Sequence, residues 1–109
     1  MHCEPQIPAP ARLALTREVT CLRALAWRCD LPPEADLDAL AAALVAAGLT
    51  RQPTVRGLHR FVAPSGDEIL VVVASRRVQF RVHYTVPEHE RRFAAERLFQ
   101  RVVYALLSP

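Results

Sequence analysis

The stretch Ile69-Leu70-Val71-Val72-Val73 is an unbroken aliphatic run in the second half of a 109-residue chain. Because successive side chains of a strand point to opposite faces of a sheet, a strand built from this run needs apolar cover on both sides. Burying one Val or Leu contributes about 1.5–3 kcal/mol, so a bare second side would forgo several kcal/mol. The run therefore predicts a layered molecule organised around one central strand.

Two further strands are predicted beside this run, in a three-stranded antiparallel meander. The first covers residues 55–63, and the turn at 63–66, Ala-Pro-Ser-Gly, carries Pro and Gly where a type I turn favours them. The central strand covers residues 68–74, and the third covers 77–85. In the third strand, Val78, Phe80, Val82 and Tyr84 alternate with Arg77, Gln79, Arg81 and His83. We expect the last helix to cover the apolar set, while either the first two helices or a second subunit shelters the other side.

Two helices are predicted before the meander. The first follows a stripe with helical spacing and ends before Pro32-Pro33, since a proline pair cannot continue a helix. Its stripe consists of Leu15, Val19, Leu22 and Ala26. The second helix runs from about residue 33 or 36 to residue 47, with acidic residues in its first turn and Gly48 after its end.

A third helix is predicted to begin at Thr85-Val86-Pro87-Glu88, where Thr85 and Glu88 have the spacing of a capping box, and to end near Leu107. The predicted fold class is therefore α+β, with the order α-α-β-β-β-α. Residues 1–10, which contain three prolines, are predicted to be a flexible tail. Residues 11–109 are predicted to form one domain.

The composition narrows the classes of function. All fourteen basic residues are arginine, and the chain contains neither lysine nor asparagine, a bias typical of a high-GC bacterial genome. Arginine richness is therefore weaker support for nucleic-acid binding than the formal charge of +3 suggests. The absence of lysine excludes a Schiff-base lysine and a P-loop.

The cysteines indicate a reducing compartment. Cys3, Cys21 and Cys29 are odd in number and form no CxxC pair. Cys21 and Cys29 are predicted to lie on the first helix, too far apart to share a metal ion or a disulfide. The chain has no apolar run of membrane-spanning length and no signal-peptide pattern at its start, so we expect a cytoplasmic protein.

No catalytic or cofactor motif emerges from the sequence. His83 and His89 could converge with Glu88 or Glu90 as a third ligand, but their spacing matches no common metal-ligand pattern. Ser65 lies in a turn and lacks the GxSxG context of a hydrolase nucleophile. The sequence therefore predicts a non-enzyme with no catalytic residue, metal site or cofactor.

The strongest functional signal is a basic strand face. We predict an interaction surface that binds phosphates or an acidic protein. It consists of Arg76, Arg77, Gln79, Arg81 and His83. We expect a non-catalytic interaction or accessory protein, homodimeric through the sheet face or an open strand edge.

An alternative is a DNA-binding regulator, because residues 40–61 resemble the helix, turn and recognition helix of winged-helix repressors. The recognition helix would then cover residues 53–61. Its DNA contacts would come from Arg51, Thr54, Arg56, His59 and Arg60. Two features weaken the resemblance: the interval from Gly48 to Val55 is one residue too long, and Gly57 would cost a helix about 1 kcal/mol relative to Ala.

Overall fold

The computed structural model describes residues 13–17 and 26–107 of the chain. The elements in chain order are β1 (Thr16–Arg17), β2 (Ala26–Asp30), α1 (Leu37–Ala46), β3 (Thr50–Gln52), β4 (Leu58–Val62), β5 (Glu68–Val72), β6 (Arg77–Arg81) and α2 (Arg91–Leu107). A short 3-10 turn, Glu88–Glu90, leads into α2. The predicted N-terminal tail and two of the cysteines, Cys3 and Cys21, lie outside the described residues.

The six strands form one antiparallel sheet with the order β1-β2-β6-β5-β4-β3. Strands β3 to β6 follow one another as a meander, and β2 pairs with the free side of β6. The connection through α1 carries the chain from β2 to β3, at the far edge of the sheet. As a result β5 is an interior strand, and β1 and β3 are the outermost strands in the described part of the sheet.

The predicted α-α-β-β-β-α layout is wrong, and the largest error lies in the first predicted helix. Its described parts are the strands β1 and β2, so Cys29 lies on a strand and not on a helix. Within β2, Trp27 and Cys29 are buried and alternate with the more exposed Arg28 and Asp30. This alternation fits a strand, and pairing with β6 outweighs the weak helical spacing of the segment.

The meander also contains one strand more than predicted. Residues 49–54 were expected to be only a connection, but Thr50–Gln52 pairs with β4 as β3. The strand expected from residue 55 begins only at Leu58, because the chain first turns at Gly57 with a φ of +82°. Only the turn at Gly66 matches the expectation closely, with the Gly66 N–H donating to the Ala63 carbonyl at 2.8 Å.

The two helices begin differently. The Asp36 side chain caps α1 by accepting from the backbone N–H groups of Asp38 at 3.0 Å and Ala39 at 3.1 Å. The capping box expected for α2 is wrong, because the 3-10 turn after Pro87 has no side-chain cap. The Thr85 hydroxyl instead lies 2.7 Å from Nδ1 of His83.

Both helices pack on one side of the sheet, and the core lies between the two layers. The helices supply Leu40, Ala41, Leu44, Ala94, Ala95, Leu98 and Val102, and the strands supply Trp27, Cys29, Phe61, Ile69, Val71, Val78 and Phe80. Phe80 meets Phe99 of α2 edge to face, with ring centroids 6.0 Å apart. None of the described helices combines the length and apolar character needed to span a bilayer.

A glycine substitution tests the close contact between the β4–β5 turn and the segment after β6. At Gly66, φ is +92° and an added Cβ would lie 2.9 Å from Cδ2 of His83, whereas Gly57 has open space around it. Both Gly→Ala variants strain the backbone. We expect Gly66→Ala to cost about 1–3 kcal/mol more than Gly57→Ala, because only the former is crowded.

Urea denaturation of both variants measures this difference. In a His83→Ala background, which removes the crowding ring, the cost of Gly66→Ala is expected to approach that of Gly57→Ala. An equal cost for the two glycine variants in the wild-type background would contradict the contact.

Candidate functional site

The side of the sheet away from the helices carries a continuous set of arginines, because residues paired across antiparallel strands point to the same side. We call this surface the arginine face. Its members are Thr16, Ala26, Arg28, Asp30, Thr50, Gln52, Leu58, Arg60, Val62, Glu68, Leu70, Val72, Arg77, Gln79 and Arg81. No described helix packs against it.

One half of the arginine face, on β2 and β6, is polar. Arg28 stands directly opposite Gln79, and Arg77 and Arg81 flank Gln79 along β6. The Arg77 Nε lies 3.3 Å from an Asp30 carboxylate oxygen, and the Arg81 Nε donates to Oε1 of Gln79 at 2.9 Å. Three arginines therefore surround Gln79 on this side of the sheet, one opposite it and one two residues away in each direction along β6.

The other half, on β4 and β5, is largely apolar. Leu58 and Val72 are paired neighbours, as are Arg60 and Leu70. Leu70 is only 7% exposed, while Leu58, Val62 and Val72 are half-buried. The three half-buried side chains, with the buried Leu70 among them, form an apolar patch directly beside the polar half.

The charges on the face do not cancel. Arg60 is paired with Glu68 and Arg77 with Asp30. Within the described part of the chain, the Arg28 side chain makes neither a hydrogen bond nor an ion pair, and the Arg81 side chain has no carboxylate partner. Four arginines face two carboxylates, which leaves an excess of two positive charges.

The predicted interaction residues are divided between this face and other places. Arg77, Gln79 and Arg81 share one side of β6, opposite the buried Val78 and Phe80. Arg76 and His83, however, lie outside the strand.

Arg76 occupies the β5–β6 turn with a φ of +55°, and its guanidinium donates to the Ala35 carbonyl at 2.6 Å. His83 follows β6, and its backbone N–H donates to Oδ1 of Asp67 at 2.7 Å. Both residues tie loops to the body of the molecule.

The recognition-helix prediction for residues 53–61 is wrong. Residues 53–57 connect β3 to β4, and Leu58–Val62 is a strand. Thr54 and Arg56 are exposed in the connection. Arg51 and His59 point to the helix side of the sheet, where Nη2 of Arg51 lies 2.7 Å from Nδ1 of His59. Arg60 points to the opposite side and belongs to the arginine face.

A Ser-Asp-His cluster lies at the β4–β5 turn, but it lacks the connections of a catalytic triad. The Ser65 hydroxyl donates to Oδ2 of Asp67 at 2.9 Å, and Asp67 binds the His83 backbone instead of its ring. The His83 ring is engaged by Thr85 through Nδ1. A triad needs the histidine between the serine and the carboxylate. This cluster instead fastens the turn to the end of β6.

Metal ligands do not converge among the described residues, since no three His, Cys, Asp or Glu side chains are grouped to hold an ion. The His83 ring lies against the Tyr84 ring, with centroids 4.5 Å apart. His89 is exposed, and its Nε2 lies 4.0 Å from Oε1 of Glu90. The two histidines proposed as a ligand pair therefore have separate surroundings.

The buried thiol of Cys29 is poorly suited to nucleophilic chemistry. Burial, with a smaller effect from the neighbouring Asp30 charge, raises the pKa of Cys29 from 9.0 to about 12. The reactive form of a cysteine is the thiolate, which is scarce at neutral pH when the pKa is this high. Cys29 thus serves as a small apolar core residue.

Alkylation tests this assignment. At pH 8 we expect iodoacetamide to leave Cys29 unmodified in the native protein and to modify it in guanidinium chloride, as read by peptide mass spectrometry. The pKa of Cys29 is higher in the folded than in the unfolded protein. The contribution of the Cys29 thiol to the free energy of unfolding is therefore complete below about pH 9 and is lost between about pH 9 and 12. Rapid native labelling of Cys29 would contradict its burial.

A second surface of interest is a groove of about 770 Å³ along the outer side of α2. Phe93 and Tyr104 line it and are 63% and 66% exposed, with Arg97 and Arg101 beside them. Leu15 forms its other wall, next to residues outside the described part. Nothing in the described part of the chain indicates what occupies this groove.

Comparisons of the chain with family models, with curated proteins and with solved structures found no match. What the protein does must therefore follow from its own surfaces. Of these, the arginine face is the one on which uncompensated charge and apolar side chains adjoin.

Proposed function

We propose that this protein is a non-catalytic interaction module that binds a carboxylate-bearing protein partner through the arginine face. The observation that carries the proposal is the excess of positive charge around Arg28, directly beside the aliphatic patch of β4 and β5. Arginine is enriched in protein interfaces because its planar guanidinium binds carboxylates with two parallel hydrogen bonds. The aliphatic patch adds apolar area that a partner can bury.

A protein partner fits this face better than a nucleic acid. Surfaces that bind single strands usually stack bases on aromatic side chains, and no described residue of the arginine face is aromatic. Two of the four arginines are already paired with carboxylates, which leaves two for phosphate contacts, fewer than a surface that binds nucleic acid commonly uses. A partner with carboxylates and apolar side chains satisfies both halves of the surface.

The homodimer expected from the sequence stays a prediction. The charges and the strand lengths favour a partner on the arginine face that is not a second copy of this chain. Two copies meeting face to face would bring together surfaces that each have an excess of positive charge. The described edge strands are short: β1 has two residues, β3 has three, and Pro53 follows β3. Short edges and proline oppose pairing with a second chain.

Site-specific photo-cross-linking in extracts of cells that naturally produce the protein tests the proposal. A benzoylphenylalanine at position 58, on the arginine face, is compared with one at position 104, on the outer side of α2. We expect protein adducts from position 58 that are lost in an Arg28→Glu/Arg81→Glu background and whose cross-linked sites lie near carboxylates.

The matched control is Arg97→Glu/Arg101→Glu, which also reverses two exposed arginines, on the opposite layer, and should leave the adducts from position 58 intact. Adducts formed only between copies of this chain, only with nucleic acid, or only from position 104 would overturn the proposal.

A further inference from the structure

The partner's local structure follows from the layout of the arginine face. We propose, building on the function proposed above, that the docking element is an amphipathic α-helix with an acidic flank, lying parallel to the central strands. Its apolar side covers the half-buried Leu58, Val62 and Val72, and its carboxylates reach Arg28 and Arg81.

The spacing of the two halves matches the width of a helix. The apolar patch is centred between β4 and β5, and the polar half is centred between β6 and β2, two strand positions away. Neighbouring strands lie about 4.8 Å apart, so the two centres are separated by about 10 Å. An α-helix with its side chains is about 10–12 Å across. One helix can therefore rest on the patch and carry its acidic flank over the arginines.

The backbone argues against an extended peptide in this position. The hydrogen bonds of a sheet lie in its plane, so its face offers no backbone partners to a strand laid across it. An extended segment would then bury unpaired N–H and C=O groups, which is costly, whereas a helix satisfies its own. Strand addition would have to use an edge, and the described parts of the edge strands β1 and β3 have two and three residues.

The charges of the chain's own helices argue against a second copy as the source of the docking helix. The exposed side of α2 carries Arg97 and Arg101, which the arginine face repels. Helix α1 has ten residues, and Asp38 is its one acidic residue. Neither of the two described helices has carboxylates along one flank, so we assign the docking helix to a different protein.

Binding of synthetic peptides to the purified full chain, measured by fluorescence anisotropy, tests the inference. The probe is a helical peptide of about 18 residues with a leucine stripe flanked by glutamates, long enough to span the five-residue strands. Three companions isolate its features. The first replaces each glutamate with lysine, the second replaces each leucine with serine, and the third has two central prolines that break the helix.

We expect the acidic helix to bind at least about tenfold more tightly than each companion. Arg28→Glu/Arg81→Glu should weaken its binding by about tenfold or more, and the control Arg97→Glu/Arg101→Glu, which changes the net charge by the same amount, by less than about threefold. Far-UV circular dichroism establishes that each variant keeps its fold.

Equal binding of the proline-broken peptide, failure of the acidic helix to bind, or insensitivity to Arg28→Glu/Arg81→Glu would overturn the inference. A failure of the proposed function can be told apart from a failure of this inference. The proposed function is tested by the protein adducts from position 58 and by their loss when Arg28 and Arg81 are replaced. If those adducts form but the peptides show no preference for a helix, the arginine face binds an acidic protein in some other conformation.

Discussion

Phe80→Ala is expected to lower the free energy of unfolding by about 3–5 kcal/mol, the largest effect of any single substitution considered. Phe80 is fully buried at the centre of the core. Its cross-strand neighbours are Trp27 on β2 and Ile69 on β5, and its ring meets Phe99 of α2. Truncation therefore opens a cavity where three elements join. Small domains are stable by about 5–15 kcal/mol, so this loss would be a large part of the free energy of unfolding.

Urea denaturation followed by far-UV circular dichroism measures this loss, and Phe93→Ala is the matched control. Phe93 lies on the outer side of α2 and is 63% exposed, so its truncation should change stability by less than about 1 kcal/mol. Similar costs for the two variants would show that Phe80 does not occupy the core.

Asp67→Ala is expected to lower the free energy of unfolding by about 2–3 kcal/mol. Asp67 is the one buried charged residue in the described part of the chain, at 6% exposure. Its carboxylate accepts from the Ser65 hydroxyl and from the His83 backbone N–H. Removing it leaves the N–H without its acceptor and releases the β4–β5 turn from the end of β6.

Two related variants separate the contributions at this turn. Ser65→Ala removes one hydrogen bond to Asp67 and should cost about 1 kcal/mol or less. Asp67→Asn keeps a carbonyl oxygen that can accept from His83 and should fall between the two. Thermal or urea denaturation gives the order, and an Asp67→Ala variant as stable as Ser65→Ala would contradict the role of the His83 contact.

Local signals predicted the elements that depend least on distant partners. Helix α1 has acidic residues at its start and Gly48 after its end, and both mark its limits in the structure. The aliphatic run in β5 and the alternation in β6 also correspond to strands. In each case the decisive residues lie within the element itself.

The remaining errors arise from long-range pairing. Strand β2 has five residues, and its position is fixed by β6, about fifty residues later in the chain. Strand β3 has three residues and is held by β4. Such short segments have little intrinsic preference, so the partner strand decides their conformation. The start of α2 was misjudged because Thr85 bonds to His83 instead of capping the helix.

The candidate site could be predicted only in part, for the same reason. Alternation within β6 places Arg77, Gln79 and Arg81 on one side without knowledge of other strands. Arg28 and Arg60 join them only because β2 and β4 take their places in the sheet. The uncompensated charge therefore becomes visible only when all six strands are assembled.

The pairing of β2 with β6 is the central claim, because it creates the core around Phe80 and brings Arg28 to the arginine face. A nuclear Overhauser experiment on the isotopically labelled full chain tests it most directly. We predict backbone contacts between Arg28 and Gln79 and between Cys29 and Val78, the paired residues of the two strands. Helical contacts between residues three apart in the segment 26–30, with no contact to β6, would contradict the account.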